Sequence, residues 1–240
     1  MRRFYLLLDH NNLPPGLVRE HQIPRIIDQW LGARGFLDDR VETINVRAYG
    51  GWFVGASISA EREAATTEYN SFFDTAFRLR GGLVRVRFEF ADSLAAGRKA
   101  HITHTVAERK KKPRVVFGDT VCNEAGCELE QIKRWSKARE RACGLKDCHS
   151  TFGHHARRRE QKQVDVHIAV DLMLLVLSEP DLVVAVASDD VDIVPGVLAA
   201  SAISGADLTI VRFIRNATYA DETLLDRGVY ICQLQSEVSA

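Results

Sequence analysis

Four aspartates stand where an α/β sheet could hold a cation. The apolar run Phe4–Leu8 ends in Asp9-His10-Asn11-Asn12, and the run Leu182–Ala187 ends in Ser188-Asp189-Asp190-Val191-Asp192. Asp165 opens a third apolar stretch, Val164–Leu177. Carboxylates gathered at one sheet edge repel one another unless a cation neutralises them. An oxygen-only set suits magnesium or manganese. In the first turn of a helix Asp165 is favoured by the helix dipole and directed toward the strand ends, with a plain helix cap as the competing role. Asp189 reads as a turn residue. Asp171 follows Asp165 by six positions, roughly 240° around a helix, so the two cannot face one ion equally. It interrupts an apolar helix and reads as a buried, hydrogen-bonded structural acid, with a supporting place beside the metal as the alternative.

A second constellation is Cys122-x4-Cys127-x15-Cys143-x4-Cys148. Two close pairs on a short loop bring four thiolates within reach of one tetrahedral zinc. Free thiols or two disulfides are the alternatives, and a reducing compartment disfavours disulfides. His149, His154 and His155 lie near enough to replace one cysteine. Zinc would also hold together a stretch with little apolar residue content. Lys133, Arg134, Lys137, Arg139 and Arg141 surround the cluster, and Arg157, Arg158 and Arg159 follow it. Of these, Lys133, Arg134, Arg157, Arg158 and Arg159 are the candidate nucleic-acid contacts. Trp135 and Phe152 could stack on unpaired bases or form a small core of their own. Cys232 falls in an expected core strand and should be inert.

The elements that must position these groups follow from periodicity. Phe4–Leu8 and Leu182–Ala187 are continuous apolar runs, as strands buried on both faces require. Val41–Tyr49, Leu208–Phe213 and Val229–Leu234 read as further strands, and Arg114–Phe117 as a short one. Leu83–Phe90 alternates apolar and charged residues, which predicts a strand with one wet face. Helices are expected at Pro24–Ala33, Val164–Leu177 and Val191–Ser204. A long amphipathic helix is expected over Ala60–Leu79, stopped by Gly81-Gly82. Strands alternating with helices imply a mostly parallel sheet flanked by helices, with the ligand site beyond the carboxyl ends of the strands.

Composition sets the outer bounds. The chain has 240 residues, 46% of them hydrophobic, enough for one large domain and too much for a disordered chain. No apolar run nears the roughly 20 residues that cross a bilayer, so no membrane partner is expected. The opening MRRFYLLL lacks a long apolar region and a small-residue cleavage site, so a first strand and a cytoplasmic protein are expected. Formal net charge is +0, yet Arg98 to Lys162 carries 17 Lys/Arg against 8 Asp/Glu, which leaves the remainder about as acidic. A basic middle beside an acidic remainder suits a protein that grips a polyanion and cages metal; a solvated lysine-rich insert is the plainer reading.

Three segments in order resemble the motifs of NYN domains, members of the PIN-like ribonuclease superfamily. LLLDHNN resembles the opening Asp-x-x-Asn strand motif. KQVDVHIAVDLM resembles the Lys-x-Val-Asp-Val…Asp-Leu helix motif, and VAVASDDVDIVP the Ser-Gly-Asp-Ser-Asp-Phe-x-Pro strand end. The resemblance implies a PIN-like, Rossmannoid domain over 1–240, and the cysteine spacing places within it an inserted basic zinc-binding subdomain over 119–155. It implies a magnesium- or manganese-dependent ribonuclease with Asp9, Asp165, Asp190 and Asp192 at the metal. Asn12 and Ser188 would be polar supports, and Pro195 would end the third motif. RNA, single-stranded or structured, would be the partner, with room for a homo-oligomer or a regulatory protein. His10 stands where the family often has Gly; Asp189 replaces its Gly, Val191 its second Ser and Ile193 its Phe. None of these removes a metal-site carboxylate. A catalytically silent RNA-binding or scaffold module is the competing class, and it would tolerate loss of the four acids that this chain retains. A phosphohydrolase of the haloacid-dehalogenase kind needs an Asp-x-Asp opening, where this chain has Asp9-His10-Asn11.

Overall fold

The computed structural model describes residues 2–13, 19–36, 43–54, 57–72, 75–79, 82–92, 94, 105–109, 132, 158–179, 181–203, 207–213 and 219–234. At 19–21, 77, 79, 82, 105–109, 158–162 and 219 only the backbone is described. Two units emerge, one formed by Met1–Thr105 with Lys162–Ala240 and one by Val106–Gln161.

The larger unit is α/β. Its strands are β1 (Arg3–Asp9), β2 (Thr43–Tyr49), β3 (Phe53–Val54), β4 (Ser57–Ile58), β5 (Thr75–Leu79), β6 (Gly82–Phe90), β9 (Leu182–Ala187), β10 (Asp207–Arg212) and β11 (Tyr230–Gln233). Its helices are α1 (Arg19–Ala33), α2 (Ala60–Glu68), α3 (Val164–Ser178), α4 (Val194–Ile203) and α5 (Tyr219–Asp226). Seven strands pair in the order β11-β10-β9-β1-β2-β6-β5, all parallel except β5, which runs antiparallel to β6. The strands β7 (Thr105–Arg109) and β8 (Arg158–Lys162) are hydrogen-bonded neighbours at the two ends of the smaller unit. The expected strand Arg114–Phe117 and the cysteine-bearing stretch 119–155 lie outside the described residues, apart from Ile132. Among the described residues no helix is long and apolar enough to cross a membrane.

Burial explains the pattern of each strand. Every residue of β9 is buried, and so are Leu6, Leu7, Leu8 and Asp9 of β1, because helices cover both faces of these central strands. One core joins α1 to the sheet through Ile23, Ile26, Ile27 and Trp30; the other joins α3, α4 and α5 through Ile168, Leu172, Val197 and Leu224. Over Leu83–Phe90 exposed and buried residues alternate strictly, as its sequence requires. Between α3 and α4 the backbones come close: a Cβ at Gly196 would sit 2.6 Å from the Cβ of Ala169. Glycine is what permits that approach, and it brings the start of α4 beside the start of α3.

Two expectations need correction. The segment Ala60–Leu79 is not one helix: α2 ends at Glu68, and Thr75–Leu79 is an edge strand. Tyr69 and Phe72 leave the helical path to join Phe88 and Phe90 in the core, with the Tyr69 and Phe88 rings 4.8 Å apart. Tertiary packing thus overrides a helical pattern of moderate strength, and Gly82 begins β6 instead of following a helix. Helix α1 starts at Arg19, five residues before the expected Pro24, which it carries inside. The sequence reading also passed over α5.

One polar cluster stabilises the join between α3 and the sheet. Asp171 is fully buried, accepts hydrogen bonds from Arg47 Nη2 at 3.0 Å and Tyr49 Oη at 2.8 Å, and has His167 Nε2 at 3.5 Å. Arg47 is 4% exposed and also pairs with Glu89. Asp171 is therefore the structural acid that its position in an apolar helix suggested. Removing one partner of a buried ion pair costs about 3–5 kcal/mol, whereas replacing both by apolar groups costs far less. Asp171→Ala should accordingly lower the urea-unfolding free energy by about 3–5 kcal/mol, and adding Arg47→Met should recover part of it. Additive losses in the double variant would contradict the pairing.

Candidate metal centre

The site is built at the carboxyl edge of the two central strands. Parallel pairing sets Leu8 opposite Ala187, so the next residues, Asp9 and Ser188, leave the sheet side by side. Asp9 is 1% exposed. Its Oδ2 accepts from Asn12 Nδ2 at 2.6 Å and from Ser188 Oγ at 2.9 Å. Asn12 can reach back because His10–Asn12 form a single 3-10 turn directly after β1. Burial pushes the Asp9 carboxyl above its ordinary range, while the Asn12 and Ser188 side chains and the backbone N–H groups of Asn11 and Asn12 act in the opposite direction.

Ser188 is fully buried and works in both directions. Its hydroxyl donates to Asp9 and accepts from the Asp190 backbone N–H at 3.0 Å. Asp190 in turn caps the 3-10 turn Val191–Ile193, its Oδ1 accepting from Asp192 N–H at 2.9 Å. Asp189 ties the loop to the neighbouring strand by accepting from Phe213 N–H at 2.8 Å.

Three of the four aspartates converge. Asp165, Asp190 and Asp192 each present a carboxylate oxygen, all within 4.8 Å of one another. Asp165 is the second residue of α3, whose cap is Gln163 in the left-handed region at φ 71°, so Asp165 is not the helix cap. Asp9 falls outside this 4.8 Å group and joins it through Ser188. Asp165 and Asp190 are half-buried and Asp192 is exposed, so the trio has one side open to water. Three carboxylates this close repel one another, and an all-oxygen set at this spacing could hold a hard divalent cation.

Other residues complete the frame. Arg212, 5% exposed at the end of β10, donates through Nη1 to the carbonyls of Ser188 at 2.8 Å and Asp190 at 3.3 Å. Its Nε pairs with Asp221 of α5 at 3.1 Å. A buried guanidinium thus holds the acidic loop by its backbone. No motif marked Arg212; the one available signal was an arginine near the end of the expected strand Leu208–Phe213. His10 is buried, 3.0 Å from Tyr69 Oη through Nδ1 and packed 5.1 Å from the Trp52 ring. It anchors the turn that carries Asn12. Pro195 is the second residue of α4, where a missing N–H costs nothing.

Several expected groups are not placed. Cys122, Cys127, Cys143, Cys148, Lys133, Arg134 and Arg157 lie outside the described residues. Arg158 and Arg159 belong to β8, described by its backbone. Cys232 is buried, and burial pushes its thiol up to about 11, which suits an inert core residue. No family of known proteins, no curated protein and no solved structure matches the chain.

Ser188→Ala should raise the Asp9 pKa further, because it removes a donor that favours the ionised form. A carboxyl raised above its unfolded value weakens folding as pH climbs from the unfolded pKa through the folded one. The gap in urea-unfolding free energy between wild type and Ser188→Ala should therefore be wider at about pH 7 than at about pH 4. An equal gap at both would show that Ser188 does not stabilise the Asp9 carboxylate.

Proposed function

We propose that this chain is a magnesium- or manganese-dependent ribonuclease of the PIN-like kind that its motifs resemble. The observation that carries the reading is the convergence of Asp165, Asp190 and Asp192 within 4.8 Å, linked through Ser188 to buried Asp9 at the carboxyl edge of a parallel sheet. Asp165, Asp190 and Asp192 would hold the cation. When bound, such an ion lowers the pKa of a coordinated water and neutralises charge developing on the phosphoryl group.

The protein's own part is to hold these oxygens in place before substrate arrives. Ser188 fixes Asp9 and the Asp190 backbone, and Arg212 fixes the carbonyls of the same loop. Asn12 keeps Asp9 oriented. Asp190 or Asp9 would orient the attacking water. The open side at Asp192 leaves room for a phosphodiester. In the smaller unit, Cys122, Cys127, Cys143 and Cys148 would bind one structural zinc, and Lys133, Arg134, Arg157, Arg158 and Arg159 would grip RNA.

Purified chain given labelled single-stranded RNA should cleave it with Mn²⁺ or Mg²⁺ and not in EDTA. Asp190→Asn should lower cleavage by more than about 100-fold, since even residues around a metal's direct ligands cost about 10–100-fold when replaced. Full activity of that variant, or of wild type in EDTA, would overturn the reading. Replacing Arg157, Arg158 and Arg159 together should weaken RNA binding and flatten its salt dependence by roughly 0.7 per lost phosphate contact, while turnover of bound RNA changes little. Protein purified without chelators should carry about one zinc per chain. Absence of zinc with all cysteines titratable would exclude that site.

A further inference from the structure

Away from the acidic edge, the amino-terminal half of the sheet carries a second arrangement of groups. Parallel register places Tyr5 opposite Asn45 and Asn45 opposite Arg87, so β1, β2 and β6 each project one side chain from the same face. Successive strands lie about 4.8 Å apart, which makes these three a continuous row. The adjoining row sets Thr43 opposite Arg85. One row the other way, Arg47 is neutralised by Glu89 and Asp171. Arg85 and Arg87, by contrast, are exposed. A cleft of about 550 Å³ opens over this surface, its lining including Arg2, Arg3, Tyr5, Thr43, Asn45 and Arg87.

Size and chemistry together define the ligand. The volume lies within the roughly 300–1,000 Å³ of small-molecule sites. Arg87 and Arg3 supply guanidinium groups suited to bidentate phosphate recognition. Arg3 spends donors on Glu179 at 2.6 Å and on the Tyr5 hydroxyl, but its side chain is 60% exposed and a guanidinium carries five N–H groups, which leaves donors for a phosphate. Tyr5 is half-buried and offers an aromatic face, the sequence-tolerant platform for a base. Asn45 donates to the Phe4 carbonyl at 3.3 Å, which fixes the amide and leaves its oxygen as an acceptor for an exocyclic amine.

We propose that this cleft binds a nucleotide, its phosphate on Arg3 and Arg87 and its base against Tyr5 and Asn45. The site is distinct from the acidic centre: Tyr5 precedes Asp9 by four residues of one strand, roughly 13 Å. It needs no metal and does not rest on the ribonuclease reading. The nucleotide can be free or one unit of an RNA strand, and the two sources differ in a binding measurement.

Calorimetric titrations of the whole chain in EDTA with adenosine monophosphate, inorganic phosphate and a single-stranded hexa-adenylate make the test. Adenosine monophosphate should bind saturably. Arg87→Glu should weaken it more than about tenfold, the usual cost of a lost charge-assisted contact, and because Arg87 is exposed the variant should fold. Tyr5→Leu should weaken the nucleotide about fivefold or more and leave inorganic phosphate unchanged. Arg78→Glu, on the exposed edge strand outside the cleft, should leave the affinities for adenosine monophosphate and inorganic phosphate as they are. Equal affinity for the mononucleotide and the hexamer assigns a free nucleotide; a hexamer bound more than about tenfold tighter, with that gain lost in Arg87→Glu, assigns an RNA strand. Failure of both to bind saturably, or unchanged affinity in Arg87→Glu, would overturn the proposal, whatever the cleavage assay shows.

Discussion

The hydrogen bond from Ser188 to Asp9, 2.9 Å long between the ends of two neighbouring strands, is the constraint on which the site depends. It exists because β1 and β9 are parallel neighbours in a register that sets Leu8 against Ala187. A slip of one residue would turn Asp9 to the opposite face of the sheet. Because both strands are apolar on both faces, hydrophobic pattern alone does not oppose that slip; close side-chain packing against the helices on each face does. The cost is a carboxylate taken almost wholly out of water. Asn12, Ser188 and two backbone N–H groups offset that cost, and in doing so they hold the carboxylate in one orientation.

From that bond the rest of the edge is organised outward. Ser188 also receives the Asp190 N–H, and Asp190 receives the Asp192 N–H, so a chain of short-range bonds fixes the acidic loop. Arg212 grips the same loop from β10 and is itself paired with Asp221. Asp165 arrives from a different direction, on α3, which is held to the sheet by the Arg47–Tyr49–Asp171 cluster and to α4 by the close contact at Gly196. Mutual repulsion among Asp165, Asp190 and Asp192 is thus resisted by three separate anchors. Such preorganisation is what a cation site needs if binding is not to require rebuilding the loop.

What was legible in the sequence is what local pattern encodes. The runs Phe4–Leu8 and Leu182–Ala187, the alternation of Leu83–Phe90 and the apolar helix after Gln163 each announce their structure. Parallel α/β order then places Asp9 and Asp190 at one edge. The helix expected through Leu79 failed because Tyr69 and Phe72 are drawn into an aromatic core whose other members lie on β6. Arg212 was invisible because its partners are two backbone carbonyls and an acid on α5, an element the reading passed over. The separation of Asp9 from the other three acids was equally hidden: spacing along a chain does not say which carboxylate a buried serine will claim.

The central claim is that Asp165, Asp190 and Asp192 form one divalent-cation site that is ready before substrate binds. Paramagnetic resonance of free Mn²⁺ measures this directly, because bound ion leaves the sharp signal of the free ion. The account predicts saturable uptake of Mn²⁺ by the whole chain without RNA, weakened more than about tenfold by Asp192→Asn and unaffected by Arg87→Glu. Uptake that is absent, or equally strong in wild type and Asp192→Asn, would contradict it.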